Sequence, residues 1–119
     1  LGTPGGSRII SMVLLAALEF HDGGDPMAMA ERPRFHHQYL PDVIEFEPVA
    51  LDAAVRSALQ DRGHELDPQD DTWGDMQVVT DDGGEVSGAA DPRGIGAVAR
   101  GIVLDGAHGS RILKSIPFE

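Results

Sequence analysis

The residues best suited to chemistry lie at the start of the sequence, where two glycines, Gly5 and Gly6, lead into a long apolar segment. Glycine has no Cβ, so its backbone N–H group can approach a ligand closely and its φ can be positive. If a helix begins at Ser7, these amides lie at its positive end, where unpaired N–H groups favour an anion. The pattern therefore indicates a backbone site for an anion, or for an oxygen that becomes anionic during a reaction. A plain loop-to-helix turn with Ser7 as the N-cap accounts for the same residues.

Two arginines are candidates for binding or for structure. Arg8 follows the glycine pair and can attract a substrate carboxylate, but it can equally pair with Asp91 or another acid. We favour the structural role. The sequence Asp91-Pro92-Arg93 is typical of a charged turn, and we interpret it as a salt-bridged anchor for the segment that follows.

Two groups of residues suggest metal binding, and neither has the required pattern. His36 and His37 are adjacent, so in an extended segment they point to opposite faces and chelate poorly. The chain has no cysteine and no helical pair of histidines four residues apart. We expect the two histidines to be packed and hydrogen-bonded. An acidic loop lacks the spacing of an EF-hand, and we expect a solvated loop there, formed by Asp67, Asp70, Asp71 and Asp75.

The glycine pair precedes a predicted helix over residues 7–20 that is apolar on nearly every face. A helix without a polar stripe must be covered on more than one side, and so short a chain has little to cover it with. We therefore expect a missing partner. Glycines at 23 and 24 end this helix. Pro26 and the N-cap Asp25 predict a short second helix over residues 27–31, which Pro33 ends.

The remainder predicts strands and one further helix. Residues 43–47 alternate apolar and acidic side chains, as in a strand. Residues 50–61 carry apolar side chains at helical spacing, and a short strand begins near residue 65. The segments 76–80 and 85–89 flank Asp81-Asp82-Gly83-Gly84, which is a hairpin signal. The predicted fold class is α+β, with helices packed on antiparallel strands.

Composition excludes several function classes. The 119 residues suffice for one small domain, and the net charge of −11 argues against binding nucleic acid or anionic membranes. The absence of cysteine excludes disulfides and thiolate metal sites. The longest apolar run, residues 9–18, is shorter than the roughly 20 residues that span a membrane. No signal peptide is visible and the chain does not begin with Met, so we expect Leu1 to be an internal point of a longer polypeptide.

Four segments in this order resemble a known family: Pro4-Gly5-Gly6-Ser7-Arg8-Ile9-Ile10, Pro33-Arg34-Phe35-His36-His37-Gln38-Tyr39-Leu40-Pro41-Asp42, Gly63-His64 and Gly88-Ala89-Ala90-Asp91-Pro92-Arg93. They are similar to the C-terminal part of the small subunit of gamma-glutamyltransferases, also called gamma-glutamyl transpeptidases or glutathione hydrolases. The resemblance covers residues 1–101, and residues 102–119 form a tail outside it. The segment with the two histidines is its most specific part.

The resemblance implies the αββα sandwich of N-terminal nucleophile hydrolases, autocatalytic cleavage of a precursor, and a heterodimer with a large subunit. It implies cleavage of gamma-glutamyl amides such as glutathione, with transfer of the glutamyl group to water, amino acids or peptides. The family's two glycines that match Gly5 and Gly6 supply oxyanion-hole amides. No metal or organic cofactor is implied. Family members are commonly periplasmic, secreted or surface-anchored, but the localisation of this chain is left open because a targeting segment would belong to the large subunit.

The family's nucleophile is a threonine whose own α-amine acts as the base. Leu1 stands at the N-terminus and Thr3 is internal, so this threonine is absent from the chain, and the chain alone should be inactive. Two alternatives stay open. One is a related N-terminal nucleophile acylase, similar to cephalosporin acylases. The other is a truncated, non-catalytic fragment that acts only as a binding or structural module.

Overall fold

The computed structural model describes residues 1–81 and 83–94 together with the backbone of two later strands. A 3-10 turn, Gly6–Arg8, runs directly into the first of three α-helices in these residues: α1 Ile9–His21, α2 Pro26–Glu31 and α3 Ala53–Asp61. The strands are β1 Phe35–His37, β2 Ile44–Phe46, β3 Leu66–Pro68, β4 Gln77–Asp81, β5 Glu85–Ala90, β6 Arg100–Asp105 and β7 Arg111–Ile116. The predicted helices and the hairpin are all present, with shifted ends.

The larger sheet has four antiparallel strands in the order β4-β5-β6-β7. Its first two strands form the predicted hairpin, with Gln77 opposite Ala90; Asp82, at the predicted turn, lies outside the described residues. The last two strands were not predicted, and Arg100 pairs with Ile116. Their apolar residues are consecutive rather than alternating, so the period of two that identifies a half-buried strand is missing.

Helices α1 and α2 pack on one another, and α2 lies against β4 and β5. The main hydrophobic core lies between these helices and strands, and Trp73 packs against it. Its buried residues are Met12, Ala16, Met29, Ala30, Met76, Val78 and Ala89. An apolar helical stripe that covers one face of an antiparallel sheet is the expected arrangement for an α+β unit.

A smaller sheet of order β1-β2-β3 lies beside α3. Strands β1 and β2 are antiparallel, with Phe35 opposite Phe46, whereas β3 runs parallel to β2. Its core is formed by Ile44, Phe46 and Leu51, with Leu59 and Leu66 packed against it. Strand β1 was not predicted because its pattern is reversed: the polar His36 is buried and the apolar Phe35 is exposed, so no apolar alternation marks it.

The starts of the helices show which capping predictions were right. The Asp25 carboxylate accepts a hydrogen bond from the Ala28 N–H at 2.8 Å, so the predicted cap of α2 is confirmed. Helix α3 starts at Ala53 rather than at residue 50 because Asp52 caps it. The predicted N-cap role of Ser7 is wrong: this residue lies inside the 3-10 turn, and in the part of the chain that the structure describes no side chain caps either that turn or α1.

Within the described residues, helix α1 is covered on one side only. Met12, Leu15 and Ala16 are buried, but Ile10 is 77% exposed and Leu14 is 57% exposed, and Leu18 and Phe20 are exposed as well. We call the surface formed by Ile10, Leu14 and Leu18 the outer face of α1. Among the described residues, no helix combines the length and the apolar character needed to cross a membrane.

Candidate functional site

The two glycines adopt backbone conformations that suit glycine. Gly5 has a φ of +148° and Gly6 a φ of +59°. A Cβ on Gly5 would lie 2.5 Å from the Met12 Cε, whereas a Cβ on Gly6 would meet no atom within 4 Å. Glycine is thus favoured by conformation at both positions, and at position 5 a side chain would also require the flexible end of Met12 to move.

The amides of the glycine pair are available to a ligand. Both glycines are exposed, and across residues 1–81 and 83–94 neither N–H group donates a hydrogen bond to a backbone or side-chain acceptor. The turn that they open leads into α1, so these amides lie at the positive end of a 13-residue helix. Two unpaired N–H groups at such a position are suited to an anionic oxygen.

The chain before the glycines is attached to the larger sheet. The Gly2 N–H donates to the Gln77 carbonyl at 3.0 Å, and the Gln77 N–H donates back to the Gly2 carbonyl at 2.8 Å. The Thr3 hydroxyl oxygen accepts a hydrogen bond from the Asp75 N–H at 3.0 Å. Gly74, with a φ of +86°, fits closely here, because a Cβ on it would lie 3.0 Å from Thr3 Oγ1. The sequence alone assigned no role to these contacts.

The chain after the glycines is attached to the smaller sheet. Arg8 donates from Nε to Glu45 Oε2 at 2.8 Å, and its Nη2 lies 2.6 Å from the same oxygen. The guanidinium carbon lies 4.8 Å from the centre of the Trp73 ring, within the range of a cation–π contact. Arg8 therefore has the structural role that the sequence favoured, with Glu45 rather than Asp91 as its acid.

Four charged side chains form a network of ion pairs, which we call the buried ionic cluster: Arg34, Glu47, Asp91 and Arg93. Asp91 pairs with both arginines, through Oδ2 with Arg34 and through Oδ1 with Arg93 at 3.1 Å. It also accepts hydrogen bonds from the Met76 N–H at 2.9 Å and the Arg93 N–H at 3.0 Å. The predicted salt-bridged anchor at Asp91 and Arg93 is thus confirmed, and Arg34 is an additional member that the sequence did not indicate.

Glu47 completes the charge balance of the ionic cluster, which contains two cations and two anions. Its carboxylate accepts from Arg93 Nη2 at 2.7 Å, from Arg93 Nε at 3.0 Å and from the Arg34 N–H at 2.9 Å. It also accepts from the Trp73 N–H at 3.1 Å, and Arg34 donates to the Trp73 carbonyl. The cluster therefore holds the backbone of Trp73 from both sides.

Hydrogen bonding changes the pKa values of two cluster members. Burial raises the pKa of Asp91, but hydrogen bonds from the Met76 and Arg93 N–H groups and from both guanidinium groups outweigh burial, and the pKa lies below its usual value. Burial lowers the pKa of Arg93, but Glu47 and Asp91 outweigh it and raise the pKa. Both groups are therefore held in their charged forms.

The two histidines have separate surroundings. His36 is buried, with Nδ1 2.7 Å from the Ser11 hydroxyl and Nε2 3.2 Å from the Gln38 side-chain oxygen. His37 is exposed and lies 2.7 Å from the Asp42 carboxylate. The prediction that both histidines are hydrogen-bonded is confirmed, but the prediction that both are packed is right for His36 only, because His37 lies at the surface. Within the described part of the chain, no three histidine or acidic side chains come together in a way that suits a metal ion.

Comparison with known proteins gives a consistent result. A family model described as Gamma-glutamyltranspeptidase matches residues 1–101. The glutathione hydrolase proenzyme of Pseudomonas aeruginosa is 37% identical over 99 residues, which are 81% of this chain and 18% of the relative. That of Escherichia coli is 34% identical over 101 residues, which are 84% of this chain and 17% of the relative. The chain thus spans less than a fifth of the curated relatives that it matches.

Solved structures agree. A Helicobacter pylori gamma-glutamyltranspeptidase superposes with a TM-score of 0.71 at 32% identity, covering 78% of this chain and 52% of that chain. A gamma-glutamyltranspeptidase from Pseudomonas nitroreducens, complexed with L-DON, has a TM-score of 0.70 at 35% identity, covering 81% of this chain and 51% of that chain. The predicted fold, an α+β part of an N-terminal nucleophile hydrolase, is confirmed by these matches.

Proposed function

Since this chain belongs to the gamma-glutamyltranspeptidase family, we propose that it forms one wall of the active site of an enzyme that cleaves gamma-glutamyl amides such as glutathione. In this proposal the N–H groups of Gly5 and Gly6 are the oxyanion hole. They stabilise the negative oxygen of the tetrahedral intermediate that forms when the amide carbonyl is attacked. The glutamyl group then passes to water, an amino acid or a peptide.

The observation that carries the proposal is the pair of unpaired amides in the glycine loop. A buried or internally bonded amide has no hydrogen left for a substrate, whereas these two donate to no acceptor within the described residues. The carbonyls of both glycines accept hydrogen bonds from the turn that leads into α1, whereas their N–H groups come before its first donors and have no helical partner. The attachments through Thr3 and Arg8 hold the loop from both ends, which provides the rigidity that preorganised donors require.

The nucleophile and the groups that hold the donor's amino-acid head come from the rest of the polypeptide in this proposal. The family resemblance implies a threonine with a free α-amine at a processed N-terminus, and Thr3 has no such amine because it lies within the chain. In addition, the Thr3 hydroxyl already accepts a hydrogen bond from Asp75. A chain that covers 18% of a relative is consistent with carrying only part of the site.

The partner in the proposal is the remainder of the same proenzyme, including its large subunit. The outer face of α1 exposes three large apolar side chains in a row, and an isolated domain gains nothing by leaving them in water. Covering this face by the missing layers of the sandwich removes that surface from water. Neither a metal nor an organic cofactor has a role in the proposed reaction.

The test uses the complete polypeptide and a gamma-glutamyl anilide as substrate. We expect release of the aniline by the processed enzyme. Replacing the Gly6 peptide unit by an ester, through translation with glycolic acid, removes its N–H group and changes no side chain. It also makes the Gly5 carbonyl, which accepts from the Arg8 N–H, a weaker acceptor. Because one oxyanion donor contributes about 10² to 10³ in kcat, we expect a loss of this size.

The control is the same ester at Gly63, another glycine of positive φ, which lies just beyond the end of α3. This ester removes a hydrogen bond from the Gly63 N–H to the Gln60 carbonyl, so it reports the effect of an ester that costs stability away from the glycine pair. It should leave kcat within about twofold of the parent enzyme. An unchanged kcat for the Gly6 ester contradicts the oxyanion role. Cleavage of a glutaryl anilide in preference to the gamma-glutamyl compound identifies an acylase instead, and no cleavage of either by a processed protein favours a non-catalytic module.

A further inference from the structure

We propose that Arg8 is a positioning residue, which sets the direction of the Gly5 and Gly6 amides by fastening the turn that carries them to β2. The inference rests on the proposed function of those amides. In this inference Arg8 does not contact the substrate, whereas an arginine that binds the substrate carboxylate would do so.

Arg8 closes the glycine turn through its backbone and anchors it through its side chain. Its N–H donates to the Gly5 carbonyl at 3.2 Å, so the peptide plane between Gly5 and Gly6, which carries the Gly6 N–H, is held by Arg8. Its guanidinium meets Glu45 at 2.6 and 2.8 Å, and Glu45 is the central residue of β2. One residue therefore connects the carbonyl beside a catalytic amide to a strand of the smaller sheet.

No side-chain cap shares this task. No side chain of the described residues caps either the 3-10 turn or α1, and Gly5, which precedes the turn, has no side chain with which to hold it. A glycine pair without such contacts has many accessible conformations. The geometry of the amides consequently depends on the contacts that flank them, and on the helix side the first such contact is that of Arg8.

The surface beneath Arg8 is itself rigidly held. The guanidinium carbon lies 4.8 Å from the centre of the Trp73 ring. The Trp73 N–H donates to Glu47 at 3.1 Å, and its carbonyl accepts from Arg34, both in the buried ionic cluster. Trp73 also packs against the main hydrophobic core. The indole ring of Trp73 is thus held in place, and the Arg8 guanidinium that packs on it fixes where the turn lies.

The same contacts already give Arg8 a counter-charge within the chain. One carboxylate is already bonded to two nitrogens of the guanidinium, and the Trp73 ring lies against it. The pair is partly exposed, so its contribution to global stability is modest, whereas a shift of about 1 Å in a reacting geometry can cost as much as 10² in rate. This difference in size allows a positional effect to be separated from a loss of stability.

The experiment measures kcat and KM of the complete, processed enzyme with a gamma-glutamyl anilide for Arg8→Ala. We expect kcat to fall between about tenfold and about a hundredfold, with KM within about twofold and the melting temperature close to that of the parent. The matched control is Arg32→Ala, which breaks the Arg32–Glu19 pair. The side chains of that pair are 32% and 26% exposed, compared with 33% and 22% for Arg8 and Glu45. We expect this control to keep kcat within about twofold.

A kcat for Arg8→Ala equal to that of Arg32→Ala overturns the inference, and so does a raised KM with unchanged kcat, which identifies a substrate-binding arginine. If the alanine variant does not fold or process, Glu45→Gln serves instead: it keeps the shape of the side chain and removes the charge. A several-fold fall in kcat at constant KM supports the inference, and no fall contradicts it. Measuring the Gly6 ester in the same assay separates the two proposals. If the ester lowers kcat and Arg8→Ala does not, the oxyanion-hole proposal stands and the positioning role of Arg8 is wrong.

Discussion

Gly5 and Gly6 have the same proposed role, but the structure limits a side chain differently at the two positions. Gly5 combines a φ of +148° with a Cβ position only 2.5 Å from the terminal methyl of Met12, a buried residue of the main core. Gly6 has a left-handed φ of +59° and open space around it. A side chain at position 5 therefore meets backbone strain and also displaces the Met12 methyl, whereas a side chain at position 6 meets backbone strain alone.

This difference predicts unequal effects of alanine on stability. Gly5→Ala combines backbone strain of about 1–3 kcal/mol with overpacking against Met12, and we expect it to lower the free energy of unfolding by about 2–4 kcal/mol. Gly6→Ala should cost about 1–2 kcal/mol, from strain alone. Urea unfolding of the complete polypeptide measures both, with Gly63→Ala, another positive-φ position in open space, as the control. Equal losses at positions 5 and 6 would contradict the proposed contact with Met12.

At the scale of elements, the buried ionic cluster joins pieces of chain that secondary structure alone leaves separate. Arg34 precedes β1, Glu47 follows β2, and Asp91 and Arg93 follow β5. Arg34 and Arg93 also donate to the Ala30 carbonyl near the end of α2, at 2.9 and 3.5 Å. The cluster thus links the smaller sheet to the hairpin and to the end of α2. It also holds the backbone of Trp73, whose ring packs against Arg8.

Asp91→Asn should remove this link and alter the response to acid. At pH 7 we expect a loss of about 3–5 kcal/mol, because the variant leaves two buried guanidinium groups short of one counter-charge. The pKa of Asp91 is lowered in the folded state, so its stabilising effect is present above the unfolded value of about 3.9 and is lost as pH falls through the folded value.

The difference in unfolding free energy between Asp91→Asn and the parent should consequently shrink as pH is lowered from about 4. Urea unfolding of the complete polypeptide at a series of pH values provides the measurement. Asp61→Asn, at the exposed end of α3, is the control and should change stability by less than about 0.5 kcal/mol. A gap that widens in acid would show that Asp91 is not stabilised in its charged form.

At the scale of the whole molecule, the outer face of α1 is an apolar surface that the described residues leave exposed. The inner face of the helix meets the larger sheet through α2 and the main core, but the outer face has no cover from the described residues. The relatives are more than five times longer than the matched segment, which supports the assignment of this cover to the rest of the polypeptide.

A charge on the outer face should therefore damage the complete protein. Leu14→Asp places a carboxylate where we propose that α1 is covered, and we expect a loss of several kcal/mol in unfolding free energy, together with poor processing of the precursor. Gln60→Asp adds the same charge to the exposed surface of α3 and should have little effect. Melting temperature and the fraction of processed precursor measure both variants. A harmless Leu14→Asp would show that this face stays in water in the intact protein.

The sequence by itself determined the features whose causes are local. The Asp25 cap acts over three residues, the hairpin is indicated by the turn residues between two apolar segments, and the glycine pair is adjacent in the chain, so all three were readable without a fold. The family, too, was readable from short segments. The short β1 and the strands β6 and β7 were not, because their residues show no period and pairing alone defines them.

Only the tertiary structure decided which charges meet and which surfaces stay open. Arg8 pairs with Glu45, which is 37 residues away in the sequence, and Arg34 pairs with Asp91, which is 57 residues away. No local rule selects these partners from the 20 acidic residues of the chain. The same holds for the amides of Gly5 and Gly6: a sequence shows that glycine can present an N–H group, but the path of the surrounding chain decides whether an acceptor reaches it. Long-range pairing depends on how the elements pack, because side-chain contacts of about 3 Å require the whole backbone to be in place.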